Sequence, residues 1–280
     1  MTVDRFECMA RVDAALAAWR QGDCVVEGKH SFVHRLDIDC PVTHAAEAAA
    51  AAGADLASQE IVGFVVVSQT CDAVRSCQER PFIEICPLVP VDNIRLREIR
   101  KGRRPGYAYI PGTADRGWVA DLDRVMTVEK PVVAKWKRTP GWAGDDEGRI
   151  VAQALARKRL RMAFPDDFVV CARRLLERLA DKHTRCSDEG CALRALREIR
   201  VQAFPSWDAV EVDLMLWFIR NDDEPTFNGT TWSSLRQQWL GFVDLSGRFQ
   251  TVSGEVVPLH RLNAEEYLRS HQLDLGHLST

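Results

Sequence analysis

The amino-acid sequence predicts an α+β protein in three parts: a β-rich segment over residues 1–145, a helical pair over 146–192 and an α+β module over 193–280. Three observations carry this. Short runs rich in β-branched residues, bounded by Gly, Pro and Asp, recur between residues 24 and 136. Two stretches with helical apolar spacing follow them, and strand-like runs return after Leu193 with a helical pattern between them.

Taken in order, Thr2 is placed to cap a first helix whose Phe6, Met9, Leu16 and Trp19 recur at helical spacing, with Gly22 closing it. Cys24-Val25-Val26 and Ser31-Phe32-Val33 read as a hairpin or two short strands. Thr43 begins H-A-A-E-A-A-A-A-A-G, helical by alanine propensity and ended by Gly53. Ile61 to Val67 is an unbroken apolar run, too short for an ordinary helix, and reads as a fully buried strand. Phe82 to Pro90 reads as its neighbour, with Pro87 implying a bulge or an edge. Trp118 to Leu122 and Val132 to Trp136 read as two further strands, turning near Glu129-Lys130-Pro131. Thr139 to Asp146 reads as a linker.

The first helix of the pair runs from about Glu147 to Met162, with Ile150, Val151, Ala154 and Leu155 on one face and cations near its C-terminus, where they suit the dipole. The second carries Phe168, Ala172, Leu175, Leu176 and Leu179 as its stripe. Glu198 to Phe204 and Val210 to Ile219 read as strands, and Trp232 to Phe242 as an amphipathic helix. Phe249 to Leu259 reads as a strand pair turning at Ser253-Gly254, and a last helix is capped by Asn263.

The buried run empties directly into Ser68, Gln69, Thr70, Cys71 and Asp72. A rigid strand delivering five hydrogen-bonding or nucleophilic side chains to a loop is where folds carry chemistry, so Ser68, Thr70, Cys71 and Asp72 are the candidate catalytic residues. Cys71 is a candidate nucleophile if His30, His34 or His44 reaches it, and Asp72 would then orient that base. If the strand continues, Ser68, Thr70 and Asp72 share one face and offer oxygens to a phosphate or a divalent cation. The competing reading is a turn in which these side chains bond backbone.

Net charge of −3 conceals segregation: residues 1–91 hold 7 basic and 13 acidic side chains and residues 186–280 hold 8 and 14, while residues 92–138 hold 12 and 6 and residues 149–185 hold 10 and 4. A basic centre attracts polyanions. Arg100, Lys101, Arg103 and Arg104 with Tyr107, and Lys135, Lys137 and Arg138 beside Trp136, combine phosphate-binding cations with aromatics able to stack on bases, and RNA or DNA is the expected partner. The bland alternative is that these cations dock on acidic neighbours or are solvated. A protein partner or a second copy, with the chain as a scaffold, is the remaining interaction reading.

His183, Cys186 and Cys191 supply three zinc-type ligands where a closed structural site needs four, so no metal is assigned. Walker, dinucleotide-glycine, H-E-x-x-H and G-x-S-x-G motifs do not occur, and no cofactor is expected. No apolar stretch approaches the roughly 20 residues of a membrane span, the N-terminus is acidic where a signal peptide is basic, and the nine cysteines form no compact framework. The expectation is a cytoplasmic protein with reduced thiols and no membrane partner.

Gly22-Asp23, Val65-Val66-Val67-Ser68, Ile85-Cys86-Pro87-Leu88 and Val119 to Val125 follow one another as do the strand motifs of the MazF/PemK toxin barrels, which residues 20–140 resemble. The resemblance implies an SH3-like, PemK-like barrel in a bacterial protein of toxin or phage-defence type. The arginine and threonine on which that family's ribonuclease activity depends are here replaced by Val62-Gly63 and Val89, so it implies a nucleic-acid-binding or regulatory protein rather than such a nuclease. Ser68 to Asp72 and Arg161 to Asp167 also resemble features of an uncharacterised bacterial protein family.

Overall fold

A computed structural model describes residues 3–100, 102, 104–160, 162–221 and 226–273. It is α+β with open sheets, and by compactness the chain separates into two units, Met1–Arg159 and Leu160–Thr280.

In the first unit, α1 (Val3–Leu16) leads into β1 (Cys24–Val25), β2 (His30–Arg35), α2 (His44–Ala51), β3 (Leu56–Ile61), β4 (Phe64–Val66) and α3 (Thr70–Val74). Then come β5 (Phe82–Pro90), α4 (Asn93–Arg100), β6 (Tyr107–Tyr109), a 3-10 turn at Pro111–Arg116, β7 (Trp118–Asp121), β8 (Met126–Glu129), α5 (Lys130–Val133) and α6 (Asp145–Leu160). The main sheet is antiparallel throughout, in the order β1-β4-β5-β7-β6, with β8 also on β5; β2 and β3 form a separate ribbon.

Residues 64 to 67, β4 and the residue after it, alternate between two cores. Phe64 and Val66 face a cluster containing Val12, Leu16 and Trp19, and Val65 and Val67 face one containing Leu88, Ala120 and Val151 of α6. Burial on both faces removes any need for a polar alternate, which is why this stretch is continuously apolar. The run is nevertheless not one strand. It divides at Val62-Gly63, with Ile61 ending β3 opposite His30. Gly63 marks a close crossing: a Cβ there would stand 2.2 Å from Val25 O.

Four further expectations are corrected. Of the two readings of residues 24–33, two short strands hold and the hairpin does not, since β1 pairs with β4 and β2 with β3. Pro87 lies in the middle of the sheet, not at an edge or bulge. Leu88 N donates to Gly63 O on the β4 side, so Pro87's missing N–H falls on the other side, where β5 passes from its β8 partner at Ile85 to its β7 partner at Leu88. Val132 to Trp136 is not a strand; Pro131 opens the short α5 instead, as proline does in a first turn, and the strand lies earlier at Met126–Glu129. The sheet does not close into the expected barrel among the described residues. Its terminal strands β1 and β6 have two and three residues, and the free side of β1 meets a single bridge from Thr139.

The second unit holds α7 (Asp166–His183), α8 (Asp188–Ala195), β9 (Leu196–Phe204), β10 (Val212–Arg220), α9 (Trp232–Leu240), β11 (Phe249–Pro258), a 3-10 turn at Leu259–Arg261, α10 (Ala264–Arg269) and β12 (His271–Gln272). Its sheet runs β11-β10-β9-β12. The α7 stripe Phe168, Ala172, Leu175, Leu176 and Leu179 packs in one core with Leu214, Leu216, Phe218 and Trp239. Arg178 holds the buried Glu189 through two bonds, at 3.0 and 2.7 Å, and Trp239 Nε1 donates to the same carboxylate at 3.1 Å. Asn263 and Glu266 form the capping box of α10. The pair turning at Ser253-Gly254 is corrected to one continuous strand, β11, parallel to β10. Gly254 serves close packing, not a turn: a Cβ there would meet Leu216 O at 2.9 Å and the Leu240 side chain at 3.1 Å.

Candidate functional site

The residues after β4 do not continue as a strand. Gln69 starts the turn of α3, so Ser68, Thr70 and Asp72 do not alternate along one extended face. Backbone and side-chain groups from four other segments meet this rim. Ser68 Oγ accepts from Glu84 N at 2.8 Å, and Thr70 Oγ1 accepts from Gln21 N at 3.1 Å. Gln21 Nε2 donates to Val67 O at 2.9 Å. Lys130, wholly buried, donates from Nζ to Asp72 O at 2.8 Å and to Arg75 O. Burial pushes the Lys130 ammonium below its usual range, with Asp13, Cys77 and Asp72 pulling it back up. The Asp72 carboxylate lies 3.9 Å from Arg80 Nε.

Two of the four candidate catalytic side chains, Ser68 and Thr70, therefore accept backbone N–H groups from distant segments. Cys71 is exposed, and its thiol donates to Gln69 Oε1 at 3.6 Å. The histidines are engaged elsewhere: His30 donates to Glu27 O, His34 stacks on Phe32, and His44 meets Glu47. Beside the rim is an open cleft of about 800 Å³, lined by Ser68, Gln69, Asp72 and Arg80 and crossed by the Arg159–Glu84 ion pair.

Of the basic segment, Arg95 to Arg100 lie in α4, whose Ile99 is buried in the unit. The guanidinium of Arg100 stacks over the Tyr109 ring, 5.4 Å from its centroid. Tyr107 lies two residues before Tyr109 on the same face of β6. Arg157, on α6, donates from Nη1 to Gly102 O at 2.7 Å. Arg100, Tyr107, Tyr109, Gln153 and Arg157 line a pocket of about 160 Å³, with Ile99 and Ile150 among its apolar wall.

The other cations predicted for nucleic acid divide differently. Arg104 donates to Glu98 at 2.6 Å, Lys137 to Glu27 at 2.7 Å, and Arg138 to the buried Asp23 at 2.7 Å. Asp23 also accepts from the backbone of Arg20 and Gly141. Docking on acidic neighbours is thus what these three do. Lys135 is exposed, and Lys101 and Arg103 lie outside the described residues. Trp136 stacks on Phe64 as a core anchor, and Trp118, in register beside Val119, points to the face opposite Tyr109. Gln153 and Arg157 escaped the sequence reading because they stand some fifty residues from α4. The cations of α6 suit the helix dipole by position, yet Arg157, Lys158 and Arg159 each reach a partner on another segment.

In the second unit, Ser187 caps α8 between Cys186 and Cys191, and Cys191 Sγ accepts from Arg194 at 3.3 Å. Among the described residues no group of three or more His, Cys, Asp or Glu is placed to hold a metal ion. Also among them, no helix is long and apolar enough to cross a membrane. No protein-family model, curated protein or solved structure matches this chain.

Proposed function

We propose that this chain binds RNA or DNA, and that the α4, β6 and α6 face of its first unit makes the contact. The observation that carries this is the cation–aromatic cluster of Arg100, Tyr107, Tyr109 and Arg157 around one pocket. Guanidinium groups neutralise phosphate, and the ring faces and guanidinium planes stack on bases, so one surface offers both halves of single-strand recognition. Among the described residues no carboxylate pairs with Arg100, whereas Arg104, Lys137 and Arg138 are each paired with one.

A bacterial protein of toxin or phage-defence type, working in the cytoplasm as a binding or regulatory component, is the setting this reading implies. In its favour, the four stretches that resemble the MazF/PemK toxin barrel lie on or beside β1, β4, β5 and β7, four consecutive strands of the sheet. All nine cysteines are free, which suits a reducing compartment. Val62-Gly63 and Val89 argue against that family's ribonuclease chemistry here.

The test is the affinity of the purified chain for mixed single-stranded RNA and DNA across a salt series, with the products run on a gel. Binding that falls steeply with salt, with the strands left intact, is the expected outcome. No binding at about 50 mM salt would overturn it.

A further inference from the structure

We infer that a second copy of this chain adds its own β11 to the open edge of β11, antiparallel and across a two-fold axis at Gly254. β11 is the terminal strand of its sheet, with β10 as its neighbour, and among the described residues no other segment forms a backbone hydrogen bond with Gln250 to Pro258. After the register shift that skips Gln250, Thr251 to Pro258 pair with β10 without a break. The other side of this run therefore carries a row of N–H and C=O groups ready to pair with a further strand.

This edge lacks the usual defences. The opposite end of the same sheet is the two-residue β12, and the first unit's main sheet ends in β1 and β6, of two and three residues. Folds discourage stray pairing with such short ends, and with lysines, prolines and bulges. From Phe249 to Pro258 there is no Lys or Arg, the one proline is the last residue, and the one irregularity precedes Thr251.

The strand's own sequence selects a second copy as the occupant. In an antiparallel pair, hydrogen-bonded and non-hydrogen-bonded positions alternate, so a two-fold axis must pass through a residue that faces itself. With Gly254 at that point, Val252 stands opposite Val256 of the second copy, Thr251 opposite its Val257, and Glu255 opposite its Ser253. Val252 and Val256 lie on the face that packs on the α9 core, where Leu240 meets Gly254, so valine meets valine along the margin of an apolar layer. Glu255, the only charge in the strand, faces an uncharged residue. Centring the pair on Glu255 would set two carboxylates directly opposite, which is destabilising, and centring it on Ser253 would set each Val252 against a glycine.

An edge pair buries less surface than an ordinary stable interface, so a dimer of micromolar affinity is expected. Sedimentation equilibrium of the full chain, as parent, Ser253→Lys and Ser253→Glu, tests this. Ser253 is exposed, and a thermal melt of each variant checks its fold. Each substitution acts twice across the axis, so lysine opposite Glu255 is expected to tighten the dimer about tenfold and glutamate to weaken it about tenfold. A parent that stays monomeric at about 100 μM overturns the proposal and leaves the edge to a strand of another protein. A dimer that neither substitution moves, or that both weaken alike, also overturns it, because the contact then lies elsewhere or in another register.

Discussion

Lys130→Met tests how the Ser68 to Asp72 rim is held. Methionine occupies much of the lysine stem's space, so the substitution chiefly removes the ammonium, which donates to Asp72 O and Arg75 O. Two carbonyls left without this donor cost about 1–3 kcal/mol each. Against this, the variant no longer buries a cation, and relief of that desolvation returns part of the loss. The net expectation is destabilisation of about 2 kcal/mol, or a fall in melting temperature of about 4–8 °C in a unit of this size. Hydrogen exchange supplies the local readout, because amides from Asp72 to Cys77 lose protection when the loop is released, including Cys77 N, which donates to Asp13 Oδ1 at 2.8 Å. The pH dependence has a defined sign. Burial lowers the Lys130 pKa in the folded state, so below the ordinary lysine value of about 10.4 the unfolded chain holds the proton more firmly, and parent stability rises with pH towards that value. The variant lacks this rise. A variant that melts at or above the parent temperature, with protection unchanged at Asp72 to Cys77, refutes the holding role.

Gly63→Ala is expected to destabilise the first unit by about 3 kcal/mol or more, because its Cβ meets Val25 backbone at 2.2 Å; a denaturant midpoint within error of the parent would contradict the close crossing. Iodoacetamide is expected to modify Cys71 at a rate like those of Cys8 and Cys40, also exposed, and to spare the buried Cys24, Cys86 and Cys171. Burial pushes the Cys171 thiol up to about 11. Markedly faster, pH-dependent labelling of Cys71 would instead favour a cysteine-dependent enzyme. Burial, and then Arg200, hold the His271 imidazole below its usual value, so the unfolded chain carries the proton in the window just below pH 6.5 and stability rises with pH through it. Melts of parent and His271→Gln from pH 5 to 7 are expected to converge in slope above about 6.5, with the histidine's contribution to the acid-side rise missing in the variant; identical profiles would contradict this.

The helices were legible because their signals are local. Thr43 and Asn263 each accept from a backbone N–H in the first turn they cap, and every residue of the α7 stripe is buried. The misread strands share another cause. Gly63 and Gly254 sit inside strand-like runs where neighbouring backbone comes close, and Pro131 stands where a turn and a first helical position look alike in sequence. The rim was legible as a place but not as a state. Nothing local in S-Q-T-C-D announces that Gln21, Glu84 and Lys130, between 16 and 58 residues away, would engage it. Half of the pocket was legible for the same reason that half was not: Arg100, Tyr107 and Tyr109 are close in sequence, whereas Gln153 and Arg157 arrive on α6.

Ultraviolet cross-linking of a bound single-stranded oligonucleotide, followed by peptide mapping, tests the central claim most directly. The account predicts cross-links concentrated on the peptide that carries Tyr107 and Tyr109 and lost in Tyr107→Ala/Tyr109→Ala, a variant checked to melt as a folded protein. Cross-links confined to other peptides, or undiminished in that variant, would contradict it.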